Sequence, residues 1–292
     1  MRRCARKIAV LLMVVFLISS CGGGSDLPPP KWQRVEEATV AERKFSPEGE
    51  YYLGRAVAAN ILGRHGYFDN AQAGRYVSLL TTYMAYVNDL PVPFNGFNVT
   101  ILETEAICAF SAPGGHLLIS KGLLMQVRSE EELAGVIAHE LAHLESNDGI
   151  RSVGRSKATS MLSAIGTLAV SLVGGGGLAS ALLQTFEGAV NHAVTDLTAK
   201  GFSRQQELAA DKSAIGLMTR CGYPASAYLD FMDRVLGEHH EEQAAIFSTH
   251  PMSNDRIERL RVQVANKADE STRVPARDRR FNLALGRSLP EG

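Results

Sequence analysis

Two histidines four residues apart, with a glutamate directly after the first, stand inside an otherwise apolar stretch, GVIAHELAHLESND, from Gly135 to Asp148. On a helix, positions separated by four share one face about one turn apart, so His139 and His143 present their imidazoles side by side. Glu140 lies one position round, next to where the ring nitrogens converge. Neutral imidazoles are ready zinc ligands. A catalytic zinc site commonly uses three protein ligands and leaves the fourth position to water, whose pKa falls to about 7. Glu140 is then placed to act as general base, taking the water's proton and handing it to a leaving amine. The bland reading is two histidines satisfied within a helix core, and a third ligand decides between the two.

A metzincin continuation needs a glycine and a histidine where this chain has Ser146 and Gly149, so that subclass is excluded. The alternative is a carboxylate from a later helix. FSRQQELAADKSAIGL, from Phe202 to Leu217, supplies one: Ser203 with Gln206 reads as a capping box, the helix runs to about Arg220, and Gly222 and Pro224 mark its end. Glu207 and Asp211 are four apart and share a face. An acidic pair on a helix is ordinarily a solvated face, but Leu208, Ala209, Ala210, Ala214 and Ile215 surround this one and argue that it is inside. Glu207 is then the third metal ligand, and Asp211 accepts a hydrogen bond from the outer nitrogen of a ligand histidine, fixing its tautomer.

The elements that must position these side chains are mostly helices. Ser46, Pro47 and Glu48 start a helix to about Gly63, and Arg75 to Leu90 reads as a second, closed by Pro91 and Pro93. Phe97–Leu102, Ala106–Phe110 and His116–Ser120 are short, apolar and bounded by turn residues, so they read as strands. Ser129 and Glu132 form a capping box for the histidine-bearing helix, which ends near Ser146. Tyr223–Leu236 and Ser253–Ala265 read as further helices. The expected fold is α+β, mainly α: a zincin-like domain with a small sheet beside the HExxH helix.

HELAH, FSRQQELAAD and the later STHPMSNDR occur in the order seen in the zinc metallopeptidase family of the HtpX heat-shock protease, the CAAX prenyl protease and the Oma-type mitochondrial protease. The chain resembles that family from about Ser46 to Ala265, including its periplasmic lipoprotein members, similar to the core of the beta-barrel assembly-enhancing protease. The resemblance implies one zinc ion per chain held by His139, His143 and Glu207, with Glu140 as base and Asp211 beside the ligands. It further implies that His250 approaches the zinc and can occupy the water position, and that His250 or Arg256 stabilises the oxyanion. AFSAPGGHLLISKGLL, Ala109 to Leu124, is similar to the family's strand and Gly-Gly turn, and such a strand could pair with an extended peptide substrate. Cys108 departs from the asparagine common at that place.

Arg2, Arg3, Arg6 and Lys7 precede an apolar run, Ile8–Ile18, then Ser19, Ser20 and Cys21, the pattern of a secretory signal. The run would make roughly 16 Å of helix against a hydrocarbon core of about 30 Å, too short to span. Cleavage before Cys21 and its lipidation are expected, with GGGSDLPPP as tether. The chain then divides into a signal (1–20), an anchor and linker (21–45), the peptidase domain (46–265) and a polar C-terminal tail (266–292). Without an aspartate after Cys21, the periplasmic face of a Gram-negative outer membrane is favoured over the inner membrane.

Losing the signal removes four basic side chains and no acidic one. The mature chain is mildly acidic, and nothing in it suggests nucleic acid as a partner. A disulfide between Cys108 and Cys221 is not favoured. Ala158–Phe186 carries no charge but is broken by Gly174–Gly177, which fits a helix pair packed on the domain better than a span. His239, His240, Glu241 and Glu242 read as a solvated helix end. The expected activity is zinc-dependent hydrolysis of misfolded or unassembled envelope polypeptides. The alternative is an envelope chaperone or assembly factor with a mostly occluded metal site.

Overall fold

The computed structural model describes residues 46–88, 90–152, 178–238, 250, 253–265 and 274–287. The signal, Cys21, the linker 21–45, residues 158–177 of the uncharged segment and the His239–Glu242 group lie outside them.

Helix α1 (Pro47–His65) opens where Ser46 Oγ accepts the Gly49 N–H at 3.1 Å and Pro47 sets the first turn. Helix α2 (Ala71–Val87) starts a turn earlier than the expected Arg75, because Asn70 caps it through the Ala73 N–H at 3.0 Å. Three strands follow, β1 (Asn98–Leu102), β2 (Ala109–Ala112) and β3 (His116–Ser120), in the spatial order β1-β3-β2. β3 runs parallel to β1 and antiparallel to β2. The second strand begins at Ala109 rather than Ala106, whose N–H is instead held by Thr104 Oγ1 at 3.3 Å in the preceding turn.

The pleat sends alternate side chains to two cores. Ile101, Ala109, Leu117 and Ile119 face the larger one, whereas Leu102, Phe110, Ala112 and Leu118 face a smaller one under α1. At the β2–β3 turn, Gly114 (φ 67°) touches the α1 backbone so closely that a Cβ would lie 2.4 Å from Tyr51 Cα.

After the short helix α3 (Lys121–Gln126), α4 (Glu130–Glu145) runs through the larger core, packed on β2 and on the later helices over Arg204–Arg220 and Ala225–Glu238. Ser129 caps it through the Glu132 N–H at 3.2 Å, but the reciprocal bond is missing: Glu132 accepts instead from the Arg128 N–H at 2.8 Å and pairs with Arg234. There follow α5 (Asp148–Ser152), α6 (Leu178–Thr195) with a π-helical extension over Asp196–Lys200, α7 (Arg204–Arg220), α8 (Ala225–Glu238) and α9 (Asn254–Ala265). Ser203 and Gln206 form the full capping box at the start of α7. Among the described residues, no helix is long and apolar enough to cross a membrane.

The C-terminal residues correct the expectation of a polar tail. Pro275–Ala284 form α10, seated on α2 and α4 with Phe281 only 1% exposed. One aromatic with Ala284 three positions on makes a narrow apolar stripe, and the arginines around it find partners. Arg280 pairs with Glu130, and Arg287 donates to the carbonyls of Val127 and Leu124 at 2.7 and 2.6 Å.

Candidate metal centre

Helix α4 brings His139 and His143 to one face, and α7, packed along it, brings Glu207. His250 arrives from the segment before α9. One ligand atom from each of these four residues lies within 4.8 Å of the other three. His139 Nε2 is 3.1 Å from His143 Nε2, 3.2 Å from His250 Nδ1 and 3.4 Å from Glu207 Oε2. Glu207 Oε1 is 3.5 Å from His143 Nε2 and 3.0 Å from His250 Nδ1. A tetrahedral divalent ion such as zinc, with bonds of about 2.0–2.1 Å, holds its ligands about 3.3 Å apart. The spacing fits such an ion.

The outer nitrogens fix what the inner ones offer. His143 Nδ1 donates to Asp148 Oδ2 at 2.9 Å, which leaves a lone pair on Nε2 facing the centre. Asp148 Oδ1 takes the Gln206 amide at 2.9 Å, so the residue that caps α7 also anchors the carboxylate behind a ligand on α4. Phe202 stacks on the His143 ring at 4.1 Å. His139 Nδ1 lies 3.0 Å from Asp211 Oδ1, bent out of line for a full hydrogen bond. Two imidazole lone pairs thus meet beside a carboxylate buried to 0% exposure, an arrangement that calls for a cation.

Charge around the centre tells the same story. Burial alone would raise the Glu140 carboxyl, but the facing His250, with Nε2 at 3.2 Å, outweighs it and holds the group at about 2. Burial likewise opposes ionisation of Asp211, yet His139 and Arg256 bring it to about 2. Glu207 is also driven down, its burial overcome by His250 and the two α4 histidines. Conversely, His250 is lifted to about 10 against its burial by Glu140 and Glu207. Three buried carboxylates are thus gathered around His250, the α4 histidines and Arg256.

The geometry shows what Arg256 contacts. Arg256 is 1% exposed and spent on the wall of the site: Nε and Nη2 grip Asp211 at 2.9 and 2.8 Å, and Nη1 reaches Glu207 Oε2 at 2.6 Å. It also points Nη1 at the His250 carbonyl, 3.4 Å away. So committed, it braces Glu207 and Asp211 from behind. Asp148, given no role in the sequence, lies against His143 as well; a carboxylate five residues after that histidine was the available signal. Cys108 and Cys221 are both free and buried, and burial pushes each thiol up to about 11.

Residues 74–264 match the family model Peptidase family M48. The chain is 25% identical over 225 residues to a putative beta-barrel assembly-enhancing protease of Vibrio cholerae, covering 75% of this chain and 45% of that protein. It is 23% identical over 248 residues to the beta-barrel assembly-enhancing protease of Escherichia coli K12, covering 82% of this chain and 47% of that one. A protease HtpX homolog of Streptococcus uberis is 28% identical over 212 residues, covering 61% of this chain and 70% of the homolog. The chain therefore spans a little under half the length of the two assembly-enhancing relatives. Since the family model covers most of the chain and takes in the helices that carry His139, His143 and Glu207, the protein belongs to peptidase family M48.

Proposed function

We propose that the protein is a zinc-dependent endopeptidase of the bacterial cell envelope, with His139, His143 and Glu207 as zinc ligands and Glu140 as general base. The observation that carries this reading is the convergence of the two Nε2 lone pairs on Glu207 with Glu140 alongside. When bound, zinc supplies a Lewis acid that polarises the scissile carbonyl and acidifies water. Glu140, ionised at neutral pH, takes the proton of the attacking water and returns it to the leaving nitrogen. Asp148 and Asp211 hold the outer nitrogens of the ligand histidines. The edge strand β2, which has no strand partner on its outer side among the described residues, offers a backbone against which an extended polypeptide aligns.

With Nδ1 3.0 Å from Glu207 Oε1 and 3.2 Å from His139 Nε2, His250 is close enough to take the position of water, and we read this as a closed form that opens to substrate when His250 withdraws. The names of the relatives, together with the signal-like start and Cys21, support lipid anchoring at the periplasmic face of the outer membrane and misfolded or unassembled envelope proteins as substrates. The same closure favours a second reading, an assembly factor or chaperone with a mostly occluded metal site, because Glu140 and Glu207 are 1% and 0% exposed.

Glu140→Gln separates the two, since it keeps the ligands and removes the base. Loss of casein cleavage together with the cellular phenotype supports the peptidase. A phenotype fully rescued by the variant supports the chaperone.

A further inference from the structure

Helix α8 supplies no ligand, yet it presses against α4 one turn before His139. At Gly135 an added Cβ would lie 2.6 Å from Tyr228 Cβ and 2.8 Å from its ring, distances no real Cβ tolerates. Glycine at this position leaves the slot that Tyr228 occupies. There the tyrosine is 2% exposed, with its ring centroid 6.0 Å from that of His139.

The hydroxyl is aimed at one atom. It donates to Asp211 Oδ1 at 3.0 Å, the same oxygen that faces His139 Nδ1 at 3.0 Å. Arg256 grips both oxygens of Asp211 and so fixes the carboxylate in the plane of its guanidinium. That grip comes from α9. The tyrosine adds a contact from a different helix, on the one oxygen that addresses the ligand histidine. Because the Nδ1 approach is bent, a small displacement of Oδ1 changes how the imidazole is held.

We propose that Tyr228, admitted by Gly135, is a positioning residue for metal binding. It pins Asp211 Oδ1, which keeps the His139 proton on Nδ1 and the Nε2 lone pair directed at the ion. A carboxylate behind a ligand histidine fixes its tautomer and raises its basicity, and loss of such an outer partner weakens metal affinity by about 10–100-fold. The inference rests on the zinc reading of the site.

Tyr228→Phe tests it, because the ring still fills the slot and only the donor is lost. Zinc affinity is measured by competition with a chromogenic chelator on metal-stripped protein reloaded with zinc, alongside the visible spectrum of the cobalt-loaded form. The expected result is a loss of about tenfold or more in affinity with a shifted cobalt spectrum. Gly135→Ala, which displaces the ring, moves both readouts the same way. A Tyr228→Phe protein that melts earlier but binds zinc within about twofold of wild type, with an unchanged cobalt spectrum, makes the tyrosine merely structural and overturns the proposal. Wild-type protein that takes up no stoichiometric zinc overturns the metal reading itself, and this inference with it.

Discussion

At its first residue, α4 buries the carboxylate of Glu130 completely, and donors surround it: Tyr76 Oη at 2.8 Å, Tyr223 Oη at 2.7 Å and two nitrogens of Arg280. Further along the same helix, His139 and His143 face Glu207, a carboxylate just as deeply buried. There the α4 groups that face it are imidazole nitrogens, with His250 alongside and the ion pair with Arg256 coming from behind. Burial and the neighbouring carboxylate push both phenols at the first site far up, so they remain donors. One anion is surrounded by protein donors alone, while the other, although paired with Arg256 and His250, also faces two imidazole nitrogens at the spacing of metal ligands. Burial of an acid is therefore not the mark of a metal site; the mark is lone pairs converging without protons between them.

The largest expected difference between the two ends is in Glu207→Ala. It abolishes zinc retention through desalting, and it also lowers the melting temperature of metal-stripped protein, because Arg256 and His250 lose the buried carboxylate they pair with. Glu130→Ala costs stability alone. Two phenols and the Arg280 guanidinium lose their acceptor, lowering stability by about 3 kcal/mol. At about 2–4 °C per kcal/mol in a domain of this size, the melting temperature falls by roughly 10 °C. Zinc stoichiometry is preserved. Equal effects of the two variants on metal content would erase the distinction.

Asp148→Asn sharpens it at the outer partner of His143. Zinc affinity, read by chelator competition, falls by about tenfold, equivalent to about 1.4 kcal/mol, with little change in metal-free stability. Arg280→Ala is the mildest. Its side chain is 52% exposed, so losing its pairing with Glu130 costs about 1 kcal/mol, seen as a drop of a few degrees in calorimetry with zinc affinity unchanged.

The two regions also differed in how far the sequence revealed them. His139, Glu140 and His143 are spaced by the helix itself, and Glu207 with Asp211 repeats the same four-residue interval on an apolar helix, so local periodicity exposed these five residues but not Asp148. The Ser203–Gln206 cap was equally local. Glu130 looked like an ordinary acid in a first helical turn, because its partners Tyr76, Tyr223 and Arg280 lie 54, 93 and 150 residues away with no period linking them. The same long separation hid helix α10, whose arginines read as a solvated tail until Glu130 and the α3 carbonyls were seen to receive them. Arg256 was found by resemblance but not its task, which depends on the packing of α9 against α7.

Zinc K-edge X-ray absorption on the purified protein tests the centre most directly. The account predicts imidazole nitrogens and a carboxylate oxygen at about 2.0–2.2 Å, with one fewer imidazole in His250→Ala. A spectrum without imidazole, or one that Glu207→Ala leaves unchanged, would contradict it.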